Sequence, residues 1–139
     1  PFGVMVLAND IKDSVFENIP DHVHAVSKGE IFSRSHIISV HTPLTNKTEN
    51  LIDKANIHKL KDGVILINTA RGGIFNENDI LRSLKDGKIG GLGIDAYTLE
   101  PPSSAELLSL NNVICTPHIG GNSNEAVNAM GMAAIKNLF

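Results

Sequence analysis

The chain predicts an α/β fold built on a doubly wound, mostly parallel sheet, and two observations carry that reading. Short continuous apolar runs recur along the 139 residues, most without polar alternation, as expected for strands covered on both faces. Segments with helical spacing or helix-end signals lie between several of them, so strand and helix alternate throughout.

The run "GVMVLA" at 3–8 opens the series. "HVHAVS" at 22–27 is a weaker strand and "GEIFSRS" at 29–35 a short helix, followed by the strand "HIISV" at 36–40. "TENLIDKANIHKL" at 48–60 reads as a helix with Ile52, Ala55 and Leu60 on one face, and "GVILIN" at 63–68 as the next strand. In "NENDILRSLKDG" at 76–87, Asn76 is an N-cap, Glu77 and Asp79 sit in the first turn, and Gly87 is the stop. "GGLGIDA" at 90–96 and "NVICT" at 112–116 complete the strands. The final segment, 123–139, sets Ala126, Met130, Ala133 or Ala134, and Leu138 at helical spacing. "TLEPPSSAE" at 98–106 is linker-like but too short to divide domains, and there is no internal repeat.

Composition narrows the function classes. With 42% hydrophobic and 19% charged residues and a net charge of −3, nothing favours nucleic acid or an anionic membrane as partner. The single cysteine, Cys115, excludes an internal disulfide framework and points to a reducing, cytoplasmic setting; its apolar neighbours suggest inert packing. No apolar run approaches the roughly 20 residues of a membrane span. His22, His24, His36, His41 and His58 show no metal-ligand arrangement, so no metal is assigned.

Open parallel sheets bind ligands beyond the carboxyl ends of their strands. The residues there are Asn9-Asp10, His41-Thr42-Pro43, Thr69-Ala70-Arg71, Asp95 and Pro117-His118. An arginine, a glutamate and a histidine on one edge are chemically complementary. Histidine exchanges a proton near neutral pH, a glutamate on its second ring nitrogen fixes the tautomer, and arginine's planar fork grips a carboxylate.

"HTPLTNKTENLI", "INTARGG", "GLGIDAYTLEPP" and "TPHIGGNSNEA" resemble, in order and spacing, successive signatures of the NAD-dependent D-isomer-specific 2-hydroxyacid dehydrogenases. The flavour is closest to phosphoglycerate dehydrogenase; glyoxylate/hydroxypyruvate reductase and D-lactate dehydrogenase are the alternatives. The resemblance implies a Rossmann-like domain binding NAD and a small 2-hydroxy or 2-keto acid as substrate. It implies Arg71, Glu100 and His118 as the catalytic trio, with Pro101 and Pro102 stiffening the loop that aims Glu100. It further implies that Asp10, Thr42, Pro43, Thr69, Ala70, Arg71, Asp95, His118, Ile119, Gly120 and Gly121 line the dinucleotide. Asp95 would lie at the nicotinamide end, and Asp10 would select NAD(H) over NADP(H). The parent is expected to be a homodimer or higher homo-oligomer. Departures fall at Asn76, often aspartate in relatives, and at "AYT" (96–98), often "VF" plus a variable residue.

The family's G-x-G-x-x-G turn, which cradles the pyrophosphate, is absent, and "GGLGIDA" opens no helix to replace it. The substrate-binding domain of relatives is absent too. Residues 1–139 are therefore expected to be a partial NAD-binding domain, inactive alone and weak in NAD affinity. The missing first strand would lie between those at 3–8 and 36–40, leaving two interior edges open. A non-catalytic NAD-sensing, corepressor-like protein and a purely structural module are the other function classes weighed.

Overall fold

The computed structural model describes residues 3–138, so the expected helix end at Phe139 lies outside the described residues. The order is β1 (Val6–Ala8), a 3-10 turn (Asp13–Phe16), β2 (Val23–Ala25), α1 (Lys28–Arg34), β3 (Ile37–Val40) and α2 (Lys54–Ile57). Then come β4 (Val64–Asn68), α3 (Glu77–Lys85), β5 (Ile89–Ile94), α4 (Ala105–Leu108), β6 (Val113–Cys115) and α5 (Asn124–Lys136). All the strand ladders among the described residues are parallel. Strand and helix alternate as the apolar runs predict.

Two sheets result. β1 pairs with β2, while β3, β4, β5 and β6 lie side by side in chain order. No ladder joins β1 to β3 among the described residues. "GGLGIDA" supplies most of β5, with Gly91 and Gly93 in register with Ile65 and Ile67, and opens no helix.

Local sequence explains the helix ends. Ser27 caps α1 through a reciprocal box: Glu30 N donates to Ser27 Oγ at 3.2 Å and Ser27 N to Glu30 Oε2 at 3.1 Å. Asn76 caps α3 as expected, its side chain accepting from Asp79 N at 3.2 Å. Gly87 follows that helix at φ 76°, a left-handed position glycine occupies without penalty.

Two expectations are corrected. The helix expected over 48–60 shrinks to Lys54–Ile57, because Asp53 caps a new start by accepting from Ala55 N and Asn56 N. Ile52 lies before that cap and bridges Phe75, so Ile57 joins Ile52 and Leu60 in the core while Ala55 is exposed. The second correction concerns sheet coverage. Phe32, Ile57, Ile80, Leu84 and Leu107 from α1 to α4 pack with Ile38, Val40, Leu66, Leu92 and Ile94 in one core. Each such side chain contributes about 1.5–3 kcal/mol through burial. On alternate positions Ile37, Ile65 and Ile114 remain 58%, 42% and 74% exposed. Continuous apolar sequence thus carries a half-covered sheet. α5 likewise buries none of its described residues, so Ala126, Met130, Ala133, Ala134 and Leu138 share helical spacing without a packed face.

Candidate active site

Because β3 to β6 run parallel, their carboxyl ends and the loops that follow share one edge of the sheet. β4 ends at Asn68, a polar residue only 1% exposed. Its Nδ2 donates to Arg71 O at 2.9 Å and its Oδ1 accepts from Ala70 N at 3.1 Å, folding Thr69-Ala70-Arg71 into a closed turn. The Arg71 guanidinium rests on the backbone, Nη1 donating to Ala70 O at 2.7 Å. This turn faces the segment His41 to Leu44 after β3 across a cleft of about 440 Å³. Thr42 Oγ1 is buried there without a hydrogen-bond partner among the described residues. Buried hydroxyls are rarely left so.

The second element of the edge is a dyad. His118 Nδ1 lies 2.7 Å from Glu100 Oε1 and 2.9 Å from Oε2. A carboxylate can only accept, so Nδ1 carries the proton and Nε2 is left for another partner. Tyr97 N also donates to Glu100 Oε1, at 3.1 Å. That backbone bond first, and the His118 ring second, hold the Glu100 carboxyl below the usual glutamate range. Glu100, Pro101, Pro102, Tyr97, Pro117 and His118 line a second cleft of about 250 Å³.

His118 itself sits at φ 54°, a conformation costing a non-glycine residue roughly 1–2 kcal/mol. Asp95, 5% exposed, holds the loop that bears it. Thr116 Oγ1 donates to Asp95 Oδ1 at 2.5 Å, Ile119 N to the same oxygen at 2.9 Å, and Gly120 N to Oδ2 at 3.0 Å. The sequence reading places Asp95, Ile119 and Gly120 against the dinucleotide; in the structure these groups bind one another. Gly121 follows in the same exposed loop.

The Thr116 hydroxyl is the largest cause holding the Asp95 carboxyl below its ordinary 3.8, with the Ile119 and Gly120 amides adding to it against a desolvation penalty. A depressed folded-state value contributes stability that is complete above about pH 3.8 and lost as pH falls through the lower value. Thr116→Val should therefore move the acid-unfolding midpoint, followed by circular dichroism, to higher pH. An unchanged midpoint would show that the Thr116 bond adds nothing to the loop.

Three ties hold the Glu100 loop to its neighbours, none of them visible in the sequence. Glu77, at the start of α3, accepts from Thr98 N at 2.6 Å. Tyr97 OH donates to Thr116 O at 2.9 Å and lies 3.3 Å from Ile94 O, linking the ends of β5 and β6; burial first pushes this hydroxyl up to about 12. Gly72 packs so closely on the Tyr97 carbonyl that a Cβ there would stand 1.9 Å from its oxygen. Gly72 thus serves a backbone-on-backbone contact. Asp10 stands apart, after β1 in the two-stranded sheet, its Oδ1 accepting from Lys12 N at 2.9 Å in a local turn.

A parallel sheet with polar groups gathered along its carboxyl edge is the arrangement in which open α/β domains bind their ligands. A profile described as "D-isomer specific 2-hydroxyacid dehydrogenase, NAD binding domain" matches residues 1–120. The chain belongs to this family, as its NAD-binding domain. It is 38% identical to hydroxypyruvate reductase of Thermotoga maritima over 99% of this chain and 45% of that protein. It is 41% identical to D-3-phosphoglycerate dehydrogenase of Methanocaldococcus jannaschii over 94% of this chain and 25% of that protein. The chain thus spans less than half the length of these relatives. Among solved structures, holo D-mandelate dehydrogenase of Rhodotorula graminis superposes with a TM-score of 0.87 at 29% identity, covering 98% of this chain and 40% of that one. D-lactate dehydrogenase with NAD+ from Lactobacillus jensenii gives 0.86 at 28% identity, covering 96% and 44%.

The residues fit the dinucleotide. Thr42 Oγ1 offers an unsatisfied hydroxyl and Arg71 a charged fork, and Thr69 lines the same cleft. Among the described residues no helix is long and apolar enough to cross a membrane.

Proposed function

We propose that the intact protein carrying this chain is an NAD-dependent dehydrogenase interconverting a small 2-keto acid and its D-2-hydroxy acid. The observation that carries this reading is the His118–Glu100 pair, which protonates Nδ1 and leaves Nε2 for substrate. Bound NADH supplies the hydride. In the reducing direction His118 Nε2 gives a proton to the carbonyl oxygen, and the Glu100 carboxylate steadies the imidazolium that does so. Arg71 leaves the Ala70 carbonyl to grip the substrate carboxylate with two of its guanidinium nitrogens, orienting the carbonyl for attack.

A substrate of the hydroxypyruvate type, phosphorylated or not, is the choice supported by the names of the relatives from Thermotoga and Methanocaldococcus. Asp10, at the end of β1, takes the adenosine ribose and disfavours NADP(H).

The test is NADH oxidation by the intact protein with 3-phosphohydroxypyruvate, hydroxypyruvate, glyoxylate and pyruvate, in wild type and Arg71→Lys. An ammonium cannot reproduce the fork, so Arg71→Lys should raise KM for the keto acid by about tenfold or more and lower kcat. No oxidation with any of the four, or an unchanged KM in the variant, would overturn the reading.

A further inference from the structure

We infer that Asn68 is a positioning residue for the substrate carboxylate, acting through Arg71; the inference rests on the role proposed for that arginine. Asn68 is the last residue of β4 and, at 1% exposure, the most deeply buried polar side chain described. A buried amide at a strand end has a bland explanation if its partners are the strand's own neighbours. They are not. Both of its polar atoms turn forward, Nδ2 to the Arg71 carbonyl and Oδ1 to the Ala70 amide.

This is an Asx-type closure in which a side chain replaces the backbone bonds that would otherwise shape the turn. It holds the Thr69–Ala70 and Arg71–Gly72 peptides, which bracket the peptide that carries the Ala70 carbonyl. The Ala70 carbonyl on which the guanidinium rests is part of that same turn, 2.7 Å from Arg71 Nη1. The direction from which the fork starts is therefore written by Asn68. Its main chain also reaches the second half of the site, because Asp95 N donates to Asn68 O at 3.0 Å. One buried residue thus relates the arginine turn to the aspartate that holds the histidine loop.

The chemistry selects the test. Asn68→Asp keeps the shape and the acceptor for Ala70 N but sets an oxygen against the Arg71 carbonyl where a donor stood. Because a buried carboxylate can unfold the domain, Asn68→Ser is made alongside it, retaining a small acceptor and losing the reach to Arg71. In the intact protein, either variant should raise KM for the keto acid by about tenfold, the scale of one displaced hydrogen bond. The dissociation constant for NADH, read by fluorescence quenching, should rise less than KM for the keto acid, although the same turn lines the cofactor cleft.

Each change is then combined with Arg71→Lys. If Asn68 works through Arg71, the double variant should bind keto acid no worse than Arg71→Lys alone. Multiplicative effects, or an unchanged KM in both Asn68 variants, would reduce Asn68 to a strand-end support and overturn the inference. If Arg71→Lys itself leaves KM unchanged, the reading of Arg71 falls and the inference with it, a result distinguishable because it appears in the single variant.

Discussion

His118→Ala in the intact protein is expected to lower keto-acid turnover by about 10²–10⁴-fold, the range a general acid supplies, while NADH binding stays near wild type. The backbone controls the comparison. His118 occupies φ 54°, and alanine keeps the Cβ that makes this conformation costly, so the strain is common to both proteins. Asp95 continues to hold the loop through Ile119 N and Gly120 N, neither of which the substitution touches. What disappears is the imidazole and its bond to Glu100. Steady-state rates with NADH, paired with a cofactor titration, read the two quantities separately. Turnover near the wild-type rate would take His118 out of the proton path.

Gly72→Ala should be the most damaging single-methyl change in the domain. Its Cβ would stand 1.9 Å from Tyr97 O, 2.1 Å from Tyr97 C and 2.5 Å from Thr98 N, all backbone atoms. A flexible side chain could step aside, whereas these are fixed by Tyr97 OH, by the Glu100 bond to Tyr97 N and by the Glu77 bond to Thr98 N. Overpacking commonly costs about 1–3 kcal/mol and here should reach or exceed the upper end. In a domain of this size that is a fall of roughly 10 °C in Tm, measured by thermal unfolding, if the variant folds. A variant within a degree or two of wild type would show that the two loops are not packed as described.

The chemistry of the site is legible in the sequence because its residue types are unusual where they occur. An arginine directly after "INTA", and a histidine after "ICTP", interrupt apolar runs at strand ends. Asn68 gave a signal too, as the polar residue closing "GVILIN", and strand-end asparagine is a known closer of turns. Tyr97 and Glu77 gave none, since their partners lie 19 and 21 residues away and depend on how loops meet. Asp95 was placed on the correct edge, but its bonds to Thr116 Oγ1 and to the amides of Ile119 and Gly120 were not foreseen, because they depend on how the loop after β6 folds back.

Errors in the fold have equally particular causes. Ile52 and Leu60 are both buried, so their spacing imitates a helix, although Asp53 interrupts it with a cap. Ile37, Ile65 and Ile114 are apolar on the face that α1 to α4 leave open, and apolar content alone does not say which face is covered.

The grip of Asp95 on the histidine loop has a consequence for how this stretch can drift. It is made through main-chain N–H groups at positions 119 and 120, and those are the same whatever side chain follows them. Ile119, 48% exposed, can therefore be exchanged for other residues with the loop's shape retained. Position 120 is constrained differently, because a Cβ there would lie 3.0 Å from Asp95 Oδ2. Gly121, with nothing within 4 Å of its imagined Cβ, carries no such restriction. Among chains built this way, the acid at 95 and the glycine at 120 should be retained or lost together.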